Sequence, residues 1–178
     1  MHYCKIGYKP KPILVEDALL HGGEMKPGVF TQLYTHLVFA VKYRERLLLK
    51  EIRPEVFSYI SGIITNRKHK SIITNGVSDH IHILIGLNPD DTISDLVATI
   101  KRSSSTFINQ QNWFTGNFHW QDGYGAFSYS RSQLERVYSY IENQEEHHKE
   151  RSFRHEYIKL LERFKIEYDE KYLFEFFD

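Results

Sequence analysis

Residues 80–87 (HIHILIGL) constrain the fold of this chain more than any other stretch. Side chains along a strand alternate between two faces, so Ile81, Ile83 and Ile85 point one way while His80 and His82 point the other. An unbroken β-branched face of this kind needs a covering layer. Helices must provide that layer, and both imidazoles then belong to the opposite face of the sheet.

The surrounding segments show how the layer is supplied. Residues 31–43 (TQLYTHLVFAVKY) are rich in β-branched and aromatic side chains, with Leu33, Leu37, Phe39 and Val41 on one alternating set, and read as a strand. Pro54 suits the first turn of a helix in which Val56, Ile60, Ile63 and Ile64 recur at helical spacing. Residues 71–74 form a short strand, and Asn75-Gly76 reads as the turn into HIHILIGL. Thr92 and Asp95 open a second helix with Ile93, Leu96, Val97, Ile100, Phe107 and Ile108 on its buried side. A further short strand falls between residues 118 and 129. Ser130 and Gln133 then form a capping box for a helix running to about His148, and Ser152 caps a last helix, FRHEYIKLLERF. The order of strand, helix, strand, strand, helix, strand is that of a ferredoxin-like α+β unit. Its helices lie on one sheet face and leave the other free, and two C-terminal helices follow.

Residues 1–28 break every period with Pro10, Pro12, Gly22, Gly23 and Pro27, and read as an appendage to a domain spanning 29–178. A chain of 178 residues has room for one domain of ordinary size. No signal peptide or bilayer-length apolar run is visible, which points to a cytoplasmic protein. The single cysteine, Cys4, excludes an intramolecular disulfide and a cysteine-based zinc site, so any metal must use imidazole, carboxylate or amide ligands. The formal charge is zero, but its distribution is uneven. Residues 1–70 hold 12 Lys and Arg against 6 Asp and Glu, while residues 71–178 hold 11 against 17. A local basic excess suits phosphate, and a solvated surface explains it equally well.

Two constellations can carry chemistry. His80 and His82 share a strand face, where paired neutral imidazoles suit a divalent metal; two hydrogen-bonded surface histidines are the plainer reading. The second constellation is YIENQ on the helix after the last strand. Tyr140 lies beside the buried stripe of Leu134, Val137 and Ile141, and Gln144 lies one turn further on. A phenol ionises near 10 and is a poor nucleophile at neutral pH, so a catalytic tyrosine needs help from a cation or base. A metal held by His80, His82 and Gln144 supplies that help by polarising a phosphodiester, and a half-buried helix tyrosine is the competing reading. Tyr138 and Tyr140 stand roughly 200° apart around a helix and cannot act as a pair of nucleophiles. Tyr124 and Tyr129 are better suited to packing or base stacking. Gln144, His147 and His148 have the spacing of an independent helical metal site, or simply form a polar helix end. A second H-x-[ST] motif, which a two-histidine phosphoesterase would want, is missing.

Taken together, Asp79 followed by HIHILIGL, the WQDGYGAFSYS segment and YIENQ resemble the HUH-type single-tyrosine transposases, which move insertion sequences as single-stranded DNA. The resemblance runs over residues 31–178. It implies that His80, His82 and Gln144 hold Mg²⁺ or Mn²⁺, that Tyr140 is the nucleophile, and that strands are cut and rejoined through a 5′-phosphotyrosine. It further implies a homodimer whose active sites are shared between subunits, and recognition of hairpins near the element ends. Lys42, Arg44, Arg46, Lys101 and Arg102 are candidates for phosphate contacts within that reading, with solvated surface charge as the alternative. The rival function is a non-catalytic single-stranded DNA- or RNA-binding module on a ferredoxin-like sheet. HIHILIGL carries none of the aromatics that such a sheet uses for stacking.

Overall fold

A computed structural model describes Gly28, residues 30–148 and residues 152–173; the expected appendage at 1–28 otherwise lies outside the described residues. Four antiparallel strands form one sheet, β1 (Tyr34–Ala40), β2 (Lys70–Gly76), β3 (His80–Gly86) and β4 (Gly125–Tyr129), in the order β2-β3-β1-β4. Helix α1 (Arg53–Asn66) joins β1 to β2, and α2 (Ile93–Gln110) joins β3 to β4. Beyond β4 come α3 (Leu134–Glu142), the single turn α4 (Gln144–His147) and α5 (Phe153–Arg163). The fold is α+β and ferredoxin-like, as the element order predicts.

The alternation of β3 divides the interior in two. Ile81, Ile83 and Ile85 pack with Leu37 and Phe39 of β1 against Val56, Ile60 and Ile64 of α1 and Leu96, Val97 and Ile100 of α2. The opposite face is not free, contrary to the sequence expectation. Leu134, Val137 and Ile141 of α3 and Phe153, Tyr157, Leu160 and Leu161 of α5 cover it through Val38, Ala40, Leu84 and Phe127. The physical reason lies in those two helices: each carries an apolar stripe at helical spacing, and the exposed sheet face is where both can bury it. All seven residues of β1 are consequently buried, because the strand is covered on both sides.

Two local details differ from the sequence reading and both affect the site. Asn75 and Gly76 are not a turn but the end of β2, paired with His82 and Ile81, and the connection is residues 77–79. Gly76 is required there by close approach, since a Cβ would collide with the His80 carbonyl oxygen. The helix expected to run through His148 breaks at Asn143. Asn75 Nδ2 donates to the carbonyls of Ile141 at 2.8 Å and Glu142 at 2.9 Å, satisfying the end of α3 from outside the helix. Glu145 then ties α4 to the start of α1 through Arg53 at 2.7 Å and Lys50 at 2.9 Å, which turns Gln144 inward.

Asn75→Ala removes both bonds and leaves the α3 carbonyls without their cap, so it is expected to lower unfolding stability by about 1–2 kcal/mol. Chemical denaturation followed by circular dichroism measures this. A change below about 0.5 kcal/mol, the range of a neutral surface substitution, contradicts the assigned role.

Candidate active site

β3 and α5 meet across the second core, and their polar residues meet there too. His80, His82 and Gln144 are fully buried and Glu156 is 9% exposed. The imidazoles are oriented from behind. His80 Nδ1 donates to Asp79 Oδ1 at 2.7 Å, and His82 Nδ1 lies 2.9 Å from His36 Nε2 on the neighbouring strand. Both rings therefore present Nε2 to the front, where neither nitrogen has a hydrogen-bond partner among the described residues; the same holds for Gln144 Oε1. Unpartnered buried polar atoms are costly, about 1–3 kcal/mol each, and two imidazole nitrogens facing one buried carboxylate, with the Gln144 amide beside it, fit a divalent cation. The donor set thus suits the ion that the sequence resemblance implies.

Electrostatics set the two imidazoles apart. Burial holds His82 well below the ordinary histidine range, with the neighbouring His36 adding to the effect, so His82 is neutral. Burial alone pushes His36 down to about 3. For His80 burial also works against charge, but the Asp79 and Glu156 carboxylates outweigh it and hold this imidazole above its usual value.

Tyr140 completes the front of the site. Its hydroxyl donates to Glu156 Oε1, and its ring stands edge-on to His82 with centroids 5.8 Å apart. The Glu156 carboxylate also receives Gln144 Nε2 at 3.1 Å and lies 2.6 Å from His148 Nε2. One chain brings Tyr140, both histidines and Gln144 together. A cavity of about 620 Å³ opens beside them, with Tyr129, Val137 and Leu160 on its wall and Arg136, Lys159 and Arg163 on its rim. Glu162 also reaches this rim. The guanidinium of Arg163 lies 6.0 Å from the centre of the Tyr129 ring.

The basic candidates are dispersed. Val41 N donates to Asp79 O and Ala40 pairs with His80, which puts the exposed Lys42 at the histidine end of the sheet, its ammonium 5.2 Å from the Tyr43 ring centre. Arg46 is exposed in the following loop, and the Arg44 side chain lies outside the described residues. Lys101 and Arg102 stand on α2, across the sheet from the histidines. The Lys101 ammonium is bound to the carbonyls of Gln121 and Gly123, and burial pushes it down to about 8, whereas Arg102 is exposed.

Sequence reasoning missed three site residues. His36 lies on the strand set opposite Leu37 and Phe39, so alternation placed it on the histidine face once β1 and β3 were paired. Asp79 stood in the quoted motif without a role. Glu156 carried a legible signal, because it falls within the buried stripe Phe153, Tyr157, Leu160 and Leu161 of α5, where a carboxylate is out of place unless something holds it.

Known proteins share this arrangement of elements. The family described as "Transposase IS200 like" matches residues 29–144, a span that contains His80, His82, Tyr140 and Gln144 and stops short of α5. The ISDra2 transposase TnpA of Deinococcus radiodurans is 29% identical over 129 residues, covering 68% of this chain and 91% of that protein. The transposase for insertion sequence element IS200 of Salmonella typhimurium is 29% identical over 76 residues, 43% of this chain, and the match spans half of that relative's length. Among solved structures, a putative transposase from Deinococcus radiodurans superposes with a TM-score of 0.55 at 25% identity, covering 68% of this chain and 97% of the other. A REP-associated tyrosine transposase bound to a REP hairpin shares the fold, with a TM-score of 0.53 at 16% identity, covering 70% and 73%. Since the family match extends over well more than half of the residues, this chain belongs to the IS200-like transposases.

Proposed function

We propose that this protein cleaves and rejoins single-stranded DNA at insertion-sequence ends by metal-assisted transesterification through Tyr140. The observation that carries the reading is the convergence, within one chain, of the Tyr140 hydroxyl and the two unpartnered Nε2 atoms of His80 and His82 on a single buried carboxylate. His80, His82 and Gln144 would hold Mg²⁺ or Mn²⁺, which would supply a Lewis acid for the scissile phosphate.

Tyr140 Oη attacks the phosphorus in line with the departing 3′ oxygen. The Oη–P bond forms, the P–O3′ bond breaks, and the tyrosine proton is lost while the leaving 3′ oxygen takes one up. The DNA 5′ end is left as a phosphotyrosine and the other fragment ends in a 3′-hydroxyl. One diester has replaced another, so a 3′-hydroxyl from a different end can reverse the step and join strands without an external energy source. Arg136, Lys159 and Arg163, around the cavity beside Tyr140, are suited to phosphates of the approaching strand, and the apolar wall to its bases. Lys42, Arg44, Arg46 and Arg102 remain candidates for binding the hairpin, whereas the Lys101 ammonium already has two carbonyl partners. A homodimer with active sites shared between its subunits would hold two ends for exchange. The rival reading as a passive single-strand binder on the open sheet loses its surface, because α3 and α5 occupy that face.

Tyr140→Phe is expected to abolish a denaturation-resistant adduct with labelled hairpin DNA while leaving binding intact, and a normal adduct in this variant rules out Tyr140. His80→Ala and His82→Ala are each expected to lose metal-dependent cleavage in the same assay; undiminished cleavage in both removes the metal site. Reversing Arg136 and Arg163 to Glu is expected to weaken DNA binding and flatten its salt dependence, by about 0.7 in log–log slope for each phosphate that is no longer neutralised. An unchanged slope in a filter-binding titration places the strand elsewhere.

A further inference from the structure

We infer that Glu156 is itself a ligand of the divalent ion, so that α5 completes a His80–His82–Gln144–Glu156 centre. This rests on the metal-assisted reading above and goes beyond it, because α5 lies outside the residues matched by the transposase family.

The chemistry of the donor set is the first argument. Mg²⁺ and Mn²⁺ are hard cations that favour carboxylate oxygen, and a His-His-Gln set offers them no anionic ligand. Glu156 supplies the missing negative oxygen at the place where the other donors converge. The geometry is the second argument. Glu156 Oε2 lies 3.6 Å from His80 Nε2 and Oε1 lies 3.4 Å from His82 Nε2, and one ligand atom from each of the three residues fits within 4.8 Å of the others. Two donors bound at about 2.1 Å to one ion stand about 3.0 Å apart at a right angle and about 4.2 Å apart when opposite, and both separations fall in that window.

The surroundings orient the carboxylate as a ligand is usually oriented. His148 Nε2 lies 2.6 Å from Oε2, and Tyr140 and Gln144 Nε2 donate to Oε1. Gln144 is placed to serve by a simple turn of its amide. Its nitrogen now faces the carboxylate and its oxygen is buried without a partner; reversing the amide exchanges the two, gives up the Nε2 contact to Oε1 and puts the oxygen on the side of the centre. Glu156 also ties the nucleophile to the centre, because the oxygen nearest His82 is the one that accepts the Tyr140 hydroxyl.

The test is a calorimetric titration of the full chain with Mn²⁺ in the absence of DNA, comparing wild type, Glu156→Gln, Glu156→Ala and His80→Ala, each checked for native circular dichroism. Glu156→Gln keeps the shape of the side chain, so the comparison survives if Glu156→Ala fails to fold. In the wild-type chain, paramagnetic broadening by Mn²⁺ of the ¹³C-labelled glutamate carboxyl signals shows without any substitution whether the ion sits near Glu156, while the Glu156→Gln titration tests ligation. The expected result is that Glu156→Gln weakens Mn²⁺ binding roughly tenfold or more, as far as loss of a metal-site partner ordinarily does. The Glu156 carboxyl is also expected to be broadened at the lowest Mn²⁺ additions. Wild-type affinity in Glu156→Gln, with binding lost in His80→Ala, overturns the inference and leaves the two-histidine site standing. Wild-type affinity in His80→Ala as well overturns the metal-assisted reading and this inference with it.

Discussion

A carboxylate buried between two strand histidines, a glutamine and a tyrosine is the interaction around which this molecule is organised. Glu156 reaches that position because α5 packs its apolar stripe on the face of the sheet from which His80 and His82 project. An acid buried without partners would oppose the docking of this helix. Here it meets the imidazoles of His80, His82 and His148, the Gln144 amide and the Tyr140 hydroxyl, so burial of Phe153, Tyr157, Leu160 and Leu161 can proceed. Hydrophobic packing and assembly of the polar centre are therefore one event.

The first core plays the complementary part. By fixing Ile81, Ile83 and Ile85 against α1 and α2, it determines which way His80 and His82 face and resists a slip in register, since a one-residue shift would bury the imidazoles among isoleucines. Behind the rings, Asp79 and His36 fix how each imidazole is turned. Asn75 ends α3 at the point where Gln144 must swing inward, and Glu145 holds the following turn against α1. Each of these interactions crosses between elements distant in sequence, so the site is a product of the whole domain.

This explains what could be read from the sequence and what could not. His80, His82, Tyr140 and Gln144 were legible because the directions in which they project follow from local periods, two for the strand and 3.6 for the helix. The strand and helix order followed from the same periods and led to the ferredoxin-like unit. The covering of the second sheet face was not legible, because amphipathicity says that α3 and α5 must bury a stripe without saying against what. Asn75-Gly76 has the composition of a turn, yet the close passage of the His80 carbonyl keeps Gly76 in the strand. His36 and Glu156 depended on pairings that no local pattern encodes, although a carboxylate on the apolar stripe of α5 marked the second of them.

The proposed strand transfer depends on a covalent bond between DNA and one tyrosine. The most direct measurement is mass spectrometry of the digested protein after incubation with Mg²⁺ and single-stranded DNA carrying the hairpins that flank its gene. The expected result is that the peptide containing Tyr140 carries a nucleotide joined through its 5′ phosphate, with a free 3′-hydroxyl on the released strand. Cleaved DNA bearing a free 5′ phosphate, with every tyrosine peptide unmodified, would mean that water is the nucleophile and would contradict it.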